Sequence, residues 1–73
     1  MKAVLQISLK AARINAGKTQ KDAANAIGVS NSTIVKWENG KTLPRADQLN
    51  NLCALYKVPV NAIFLPVGLP KAN

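Results

Sequence analysis

The sequence predicts an all-α fold, a compact bundle of five short helices that forms a single domain over residues 1–73. A chain of 73 residues has room for one small core, and an apolar fraction of 48% is sufficient to fill it. With one Trp, one Tyr and one Phe, that core must be mostly aliphatic. The clearest helical periodicity is an apolar stripe at positions i, i+3, i+4 and i+7, formed by Leu49, Leu52, Cys53 and Tyr56.

The charge balance points to a polyanionic partner. Ten Lys and Arg residues against three Asp and Glu residues give a formal net charge of +7. Binding to such a partner is favoured because it releases condensed counterions, but charge alone does not distinguish DNA, RNA and a membrane surface. With no histidine and three scattered carboxylates, the usual acid-base pairs, nucleophile-base dyads and metal clusters cannot be assembled. We therefore expect no enzyme activity, no metal, no cofactor and no small-molecule ligand.

The location expected from the sequence is the cytoplasm. The single cysteine, Cys53, cannot form an internal disulfide and is compatible with a reducing compartment. The apolar run at 3–5 is too short for a signal-peptide core, and no stretch approaches the roughly 20 apolar residues of a membrane span. We therefore expect no membrane partner.

The first helix is predicted to run from the N-cap Ser8 to Ala16, with Gly17 ending it. Residues 1–7 carry no capping signal, and an arm, a short strand and a frayed lead all remain open for them. The second helix begins after Thr19, whose hydroxyl can cap it as part of a shortened capping box. Its predicted core face consists of Ala23, Ala24 and Ile27.

The third helix is predicted to span about residues 31–38, with Ser30 as its N-cap and Gly40 tolerating the left-handed conformation at its end. The fourth helix runs from Arg45 or Ala46 to residue 56. Pro59 can begin a fifth, short helix that presents Ile63 and Phe64. The chain thus divides into a lead, a helix-turn-helix core and a tail, at residues 1–7, 8–65 and 66–73.

The second and third helices have the spacing of a helix-turn-helix. Ala24 is small enough for a close crossing, and Gly28 can adopt a positive φ where the second helix ends. Ile34 and Trp37 then fill the angle between the two helices. In this motif the first helix crosses the DNA backbone and the second lies in the major groove. The spacing therefore indicates binding to double-stranded DNA.

The chain resembles the phage-repressor type of helix-turn-helix proteins, the XRE-type family that includes the Cro and CI repressors. The resemblance covers about residues 8–65 and is carried by Arg13, Gly17, Thr19-Gln20, Ala24, Gly28, Ile34 and Trp37-Glu38-Asn39-Gly40-Lys41. It implies a five-helix domain of the lambda-repressor-like type, whose third helix reads base edges and whose members are usually dimeric transcription regulators.

The resemblance also implies which residues read bases: Asn31, Ser32, Thr33 and Lys36. Asn31 could bond adenine, Lys36 could reach guanine O6 and N7, and Thr33 could contact a phosphate or a thymine methyl. For Asn31 and Ser32 a turn or capping role competes evenly with base contact. For Lys36 the alternative is a solvated lysine on the helix face.

Phosphate contacts are implied at the start of the second helix and after the third, by Gln20, Asn39, Lys41, Thr42 and Arg45. Helix N-termini bind anions, which supports the role of Gln20. The sequence departs from several repressors at Leu43-Pro44, where they carry more basic residues. Arg13 and Glu38 match the family's structural ion pair, which joins the first helix to the end of the third.

The expected function is sequence-specific binding of double-stranded DNA by a phage- or prophage-type repressor that acts as a dimer on a pseudo-palindromic operator. The candidate dimer interface is the apolar segment Ile63, Phe64, Leu65, Val67 and Leu69. For Ile63 and Phe64, packing onto the protein's own core is an equally weighted alternative. The competing function is an antitoxin- or anti-repressor-like module whose main partner is another protein.

Overall fold

The computed structural model describes residues 6–65. Within this range four α-helices follow one another: α1 Leu9–Asn15, α2 Gln20–Ile27, α3 Asn31–Glu38 and α4 Ala46–Tyr56. A two-residue strand, β1 (Ile7–Ser8), precedes α1, and a 3₁₀ turn after α4 (Val60–Ala62) leads into a second strand, β2 (Ile63–Phe64). The two strands pair in parallel, with Ile7 opposite Ile63 and Ser8 opposite Phe64.

The predicted starts of α1, α2 and α3 are confirmed. Ser8, Thr19 and Ser30 each accept the backbone N–H of the third residue along, at 3.0, 2.9 and 3.2 Å respectively. Asp22 completes a capping box at α2, because its carboxylate accepts the Thr19 N–H at 2.9 Å. These hydrogen bonds with Thr19 hold the pKa of Asp22 below its usual value. Each of these three helices is thus begun by a hydroxyl adjacent to it in the sequence.

Every one of the four described helices is followed by a residue with positive φ, namely Gly17, Gly28, Gly40 and Lys57. In the turn between α2 and α3, Gly28 has a φ of +83°, and its N–H and that of Val29 both donate to the Ala24 carbonyl, at 2.8 and 3.0 Å. The left-handed residue reverses the chain within three residues, 28–30, so that α3 packs directly against α2.

One core lies between the helices. Its largest fully buried side chains are Ile34 and Leu52, each 1% exposed, and the aromatic rings of Trp37 and Tyr56 pack beside them. Small residues allow the helices to approach closely, since Ala12, Ala23 and Ala24 are all buried. α2 packs against α3 and α4, while α1 packs against α3, α4 and both strands. The core therefore holds α2 and α3 as one rigid pair.

The described residues are mostly helical, with four α-helices, and the fifth helix predicted after Pro59 is not confirmed. Between Pro59 and β2 there are three residues, enough for one 3₁₀ turn and too few for a stable α-helix. Ile63 and Phe64 are instead extended, because their backbone pairs with β1. Of the three alternatives left open for residues 1–7, the structure shows a short strand at Ile7. Residues 1–5 and the predicted tail 66–73 lie outside the described range.

The helices within residues 6–65 are short, and α4 with eleven residues is the longest of them. None of these described helices is long and apolar enough to cross a membrane.

Gly28→Ala tests whether the left-handed turn stabilises the fold. A Cβ built at Gly28 meets no heavy atom within 4 Å, so any loss of stability comes from the backbone conformation alone. We expect the free energy of unfolding to fall by about 1 kcal/mol, since a residue with a Cβ is disfavoured at this φ. Urea denaturation followed by circular dichroism measures the change.

Lys57→Gly is the matched control, because Lys57 has a φ of +61° at the end of α4 and already carries a Cβ. Here we expect the free energy of unfolding to rise by about 0.5 kcal/mol. A rise for Gly28→Ala, or a fall for Lys57→Gly, would contradict the explanation.

Candidate nucleic-acid interface

α3 presents a polar face to solvent. Its inward side carries Ile34 and Trp37, which are 1% and 4% exposed. Its outward side carries Asn31, Ser32 and Lys36, all exposed. At 3.6 residues per turn these three side chains leave the helix within roughly 140° of one another, opposite the buried pair. The structure therefore brings three of the four predicted base-reading residues together on one surface.

The hydroxyls at the start of α3 form a cluster that sequence reasoning missed. Ser30 Oγ lies 3.1 Å from Ser32 Oγ and 2.9 Å from Thr33 Oγ1. Thr33 is half-buried, so it is the least accessible of the predicted base-reading residues. The signal was present, since three hydroxyl residues surround one N-cap. Among the described residues, the side chains of Asn31 and Lys36 have no hydrogen-bonded partner.

A nearly buried ion pair fixes the end of α3. Arg13 Nε donates to Glu38 Oε2 at 2.7 Å and Nη2 donates to Oε1 at 3.3 Å, with the two side chains 10% and 3% exposed. The hydrogen bond to Glu38 raises the pKa of Arg13 above its ordinary value. Arg13 Nη1 also donates to the Lys18 carbonyl at 3.0 Å. The pair thus connects α1, the turn before α2 and α3.

Gln20, the first residue of α2, joins the same network. Its Nε2 donates to Glu38 Oε1 at 3.1 Å, a hydrogen bond that the sequence analysis did not predict. Gln20 is half-buried and lies at the N-terminus of α2, where the first backbone N–H groups have no acceptor within the helix. The start of α2 is therefore fixed to the end of α3.

Tyr56 of α4 lies against this network. Burial, and after it the negative charge of Glu38, raise the pKa of Tyr56 to about 12. The phenol, like an ordinary tyrosine, is neutral at physiological pH, so it adds no charge beside the Arg13–Glu38 pair.

The loop after α3 is anchored at both ends. Gly40 has a φ of +78°, and the Lys41 N–H donates to the Lys36 carbonyl at 2.9 Å, which closes the last helical turn. Pro44 is buried. Between these two anchors the exposed polar residues are Asn39, Lys41 and Thr42. The backbone of Lys41 is thus held beside α3.

Arg45 is exposed and has an acidic partner that the sequence analysis overlooked. Its Nε lies 3.1 Å from Asp47 Oδ1, and its Nη2 donates to Oδ2 at 3.3 Å. Both side chains are largely in solvent, at 73% and 66% exposure, so the pair is open to exchange. The hydrogen bond with Arg45 lowers the pKa of Asp47.

The predicted dimer segment divides into a buried and an exposed part. Ile63 is 7% exposed and belongs to the protein's own core, so its prediction as an interface residue does not hold. Leu65 is half-buried and packs on that core, whereas Phe64 is 38% exposed. Val67 and Leu69 lie outside the described residues.

Two helices joined by a three-residue turn, with an outward polar face on the second and a strongly basic composition, define a DNA-binding helix-turn-helix protein. The sequence profile of a family described as "Helix-turn-helix" matches residues 9–63, and the chain belongs to this XRE-type, Cro/CI-like family. It is accordingly a DNA-binding transcription regulator, from a family that is not typically enzymatic. No protein with a curated description matches the chain significantly, and neither does any solved structure.

Glu38→Ala tests the ion pair. The substitution leaves the guanidinium of Arg13 nearly buried without its carboxylate, and we expect the free energy of unfolding to fall by about 3 kcal/mol. The double variant Arg13→Leu/Glu38→Leu removes both charges, so it should lose less than Glu38→Ala alone. Thermal and urea unfolding measure the effects.

Asp47→Ala is the matched control for Glu38→Ala, because it breaks an ion pair of similar length in solvent. We expect a change much smaller than that of Glu38→Ala. Equal losses of unfolding free energy for Glu38→Ala and Asp47→Ala would show that burial does not determine how much Glu38 contributes to stability.

Proposed function

We propose that this regulator is a repressor that binds a pseudo-palindromic operator as a dimer, each α3 reading one half-site in the major groove. The observation that supports it best is the outward face of α3, where exposed hydrogen-bonding side chains sit opposite the buried Ile34 and Trp37. The face is presented by a helix whose two ends are both fixed, by the Ser30 cap and by Glu38.

Base readout falls chiefly to Asn31 and Lys36. Asn31 can bond both N6 and N7 of adenine, and Lys36 can reach O6 and N7 of guanine. Ser32 adds a short contact from the same face. Thr33, half-buried and bonded to Ser30, is better suited to a nearby phosphate or to a thymine methyl. The half-site therefore contains both an adenine and a guanine.

Phosphate contacts flank this face on both sides. At one end Gln20 lies at the N-terminus of α2, where free N–H groups attract anions, and its bond to Glu38 restricts the side chain. At the other end the loop after α3 offers Asn39, Lys41 and Thr42, and Arg45 follows. Arg45 must exchange the carboxylate of Asp47 for a phosphate, which its exposure allows.

Repression would be steric. A domain of this size makes few base contacts, so useful specificity needs two copies on half-sites about 34 Å apart, one helical turn of DNA. A bound dimer then excludes polymerase from the promoter. The interface that we propose for this dimer is built on the exposed Phe64 and includes the apolar residues Leu65, Val67 and Leu69 of the sequence that follows.

Selection of bound duplexes from a random pool at near-physiological salt tests the proposed function. Enrichment of a symmetric element is the expected result. Salt-sensitive binding with no enriched element would overturn sequence-specific repression and would favour the antitoxin- or anti-repressor-like alternative, in which another protein is the main partner.

Lys36→Ala separates base reading from phosphate binding. We expect it to weaken binding to the selected site by tenfold or more, on the order of one lost base contact, and to change binding to random duplex much less. We expect Gln20→Ala and Arg45→Ala to lower the affinity for both DNAs alike. Arg45→Ala should also flatten the salt dependence of that affinity. Fluorescence anisotropy titrations at several salt concentrations measure these effects.

Lys10→Ala is the control for Lys36→Ala, because it removes the same charge from an exposed position on α1. We expect a small, equal loss on both DNAs. Equal losses on both DNAs for Lys36→Ala itself would reduce Lys36 to a phosphate contact.

Phe64→Lys tests the proposed dimer interface. Phe64 is 38% exposed, so a lysine is tolerated by the fold, but its charge opposes burial between two copies. We expect the dimer dissociation constant, measured by analytical ultracentrifugation, to rise at least tenfold. Ile14→Lys, at a residue 56% exposed on α1, is the control and is expected to leave dimerisation unchanged. A wild-type protein that is monomeric at every concentration, even on DNA, would rule the interface out.

A further inference from the structure

Val35 is an apolar residue on α3 that the core does not use. It is half-buried, but among residues 6–65 it is not one of the partly buried apolar side chains that pack against the core. Its neighbour Ile34 is 1% exposed and lies at the centre of that core. The family resemblance assigned Val35 no role, and core packing does not account for it.

The position of Val35 on the helix is the second observation. At 3.6 residues per turn, Val35 lies roughly 40° from Asn31 and roughly 60° from Ser32, between the two. Lys36 follows on the same side. Val35 is therefore an apolar side chain in the middle of the face that our proposal places against base edges.

The chemistry of the major groove limits what an apolar side chain can read there. The four bases present hydrogen-bond donors and acceptors, and the one apolar group among them is the C5 methyl of thymine. The hydroxyls of Ser32 and Thr33 are already bonded to Ser30. Asn31 and Lys36, with a short contact from Ser32, supply the hydrogen bonds of this face, and Val35 supplies an apolar contact.

We propose that Val35 is a specificity-determining residue that contacts a thymine C5 methyl in each half-site. The inference rests on the proposed function and deepens it. Residues i and i+4 of a helix have Cβ atoms about 6 Å apart, which is about two base steps of 3.4 Å. The thymine read by Val35 therefore lies within about two base pairs of the adenine bonded by Asn31, so each half-site has a short A·T-containing element.

Uracil substitution in the selected operator tests this contact directly. Uracil lacks the C5 methyl of thymine and keeps the same hydrogen-bonding groups. Each thymine of a half-site is replaced in turn, and the affinity of the wild-type protein is measured by anisotropy. At one thymine we expect a loss of about fourfold, the effect of burying one methyl group.

Val35→Ala completes a double-mutant cycle. We expect the variant to bind the thymine operator at least about fourfold more weakly than wild type does. We also expect its affinity for the uracil operator to equal its affinity for the thymine operator, because the methyl contact is already lost. Its thermal unfolding is expected to match that of wild type, because Val35 is outside the core. Val35→Thr, which keeps the branched shape, is expected to retain part of the sensitivity to uracil.

Each outcome supports or overturns the proposal. A Val35→Ala variant that is weakened yet stays as sensitive to uracil as wild type would give Val35 a structural role and overturn it. An enriched operator in which no thymine responds to uracil would overturn it as well, while the proposed repressor function would stand. A selection that yields no operator would overturn both.

Discussion

The ion pair between Arg13 and Glu38 is the interaction on which the arrangement of the helices depends. With side chains 10% and 3% exposed, both charges are removed from water, and each is stable only while the other is present. The guanidinium also donates to the Lys18 carbonyl, and the carboxylate also accepts from Gln20. One pair of charges thereby fixes α1, the turn before α2, the start of α2 and the end of α3 relative to one another.

The turn between α2 and α3 supplies the other constraint. Gly28 in the left-handed conformation ends α2, and Ser30 begins α3 two residues later. Buried alanines on α2 let α3 pack close, so Ile34 and Trp37 enter the core. Because a helix with one buried side must expose the opposite side, Asn31, Ser32 and Lys36 face outward, with the half-buried Val35 among them. The proposed DNA-reading face of α3 is thus a consequence of how its other face is packed.

The predicted DNA-contact residues differ in whether their side chains already have hydrogen-bonded partners within the protein. Four of them have such partners: Ser32, Thr33, Gln20 and Arg45. For Gln20 the partner is buried, so its bond restricts the side chain; for Arg45 it is exposed and exchangeable. Among the described residues, the proposed base readers Asn31 and Lys36 have no such bond to break. The sequence pattern predicted a DNA contact for each of these residues, but their partners within the protein depend on how the helices pack.

The sequence by itself determined the helix starts, the left-handed turn at Gly28 and membership of the helix-turn-helix family. Those features depend on residues within a few positions of one another, such as the N-cap hydroxyl and the N–H three residues later. Tertiary structure decided what depends on distant segments: the pairing of Ile7 with Ile63, the burial of Ile63 and the bond from Gln20 to Glu38. A two-residue strand has little propensity of its own, so Ile63–Phe64 is extended because β1 lies beside it and pairs with it.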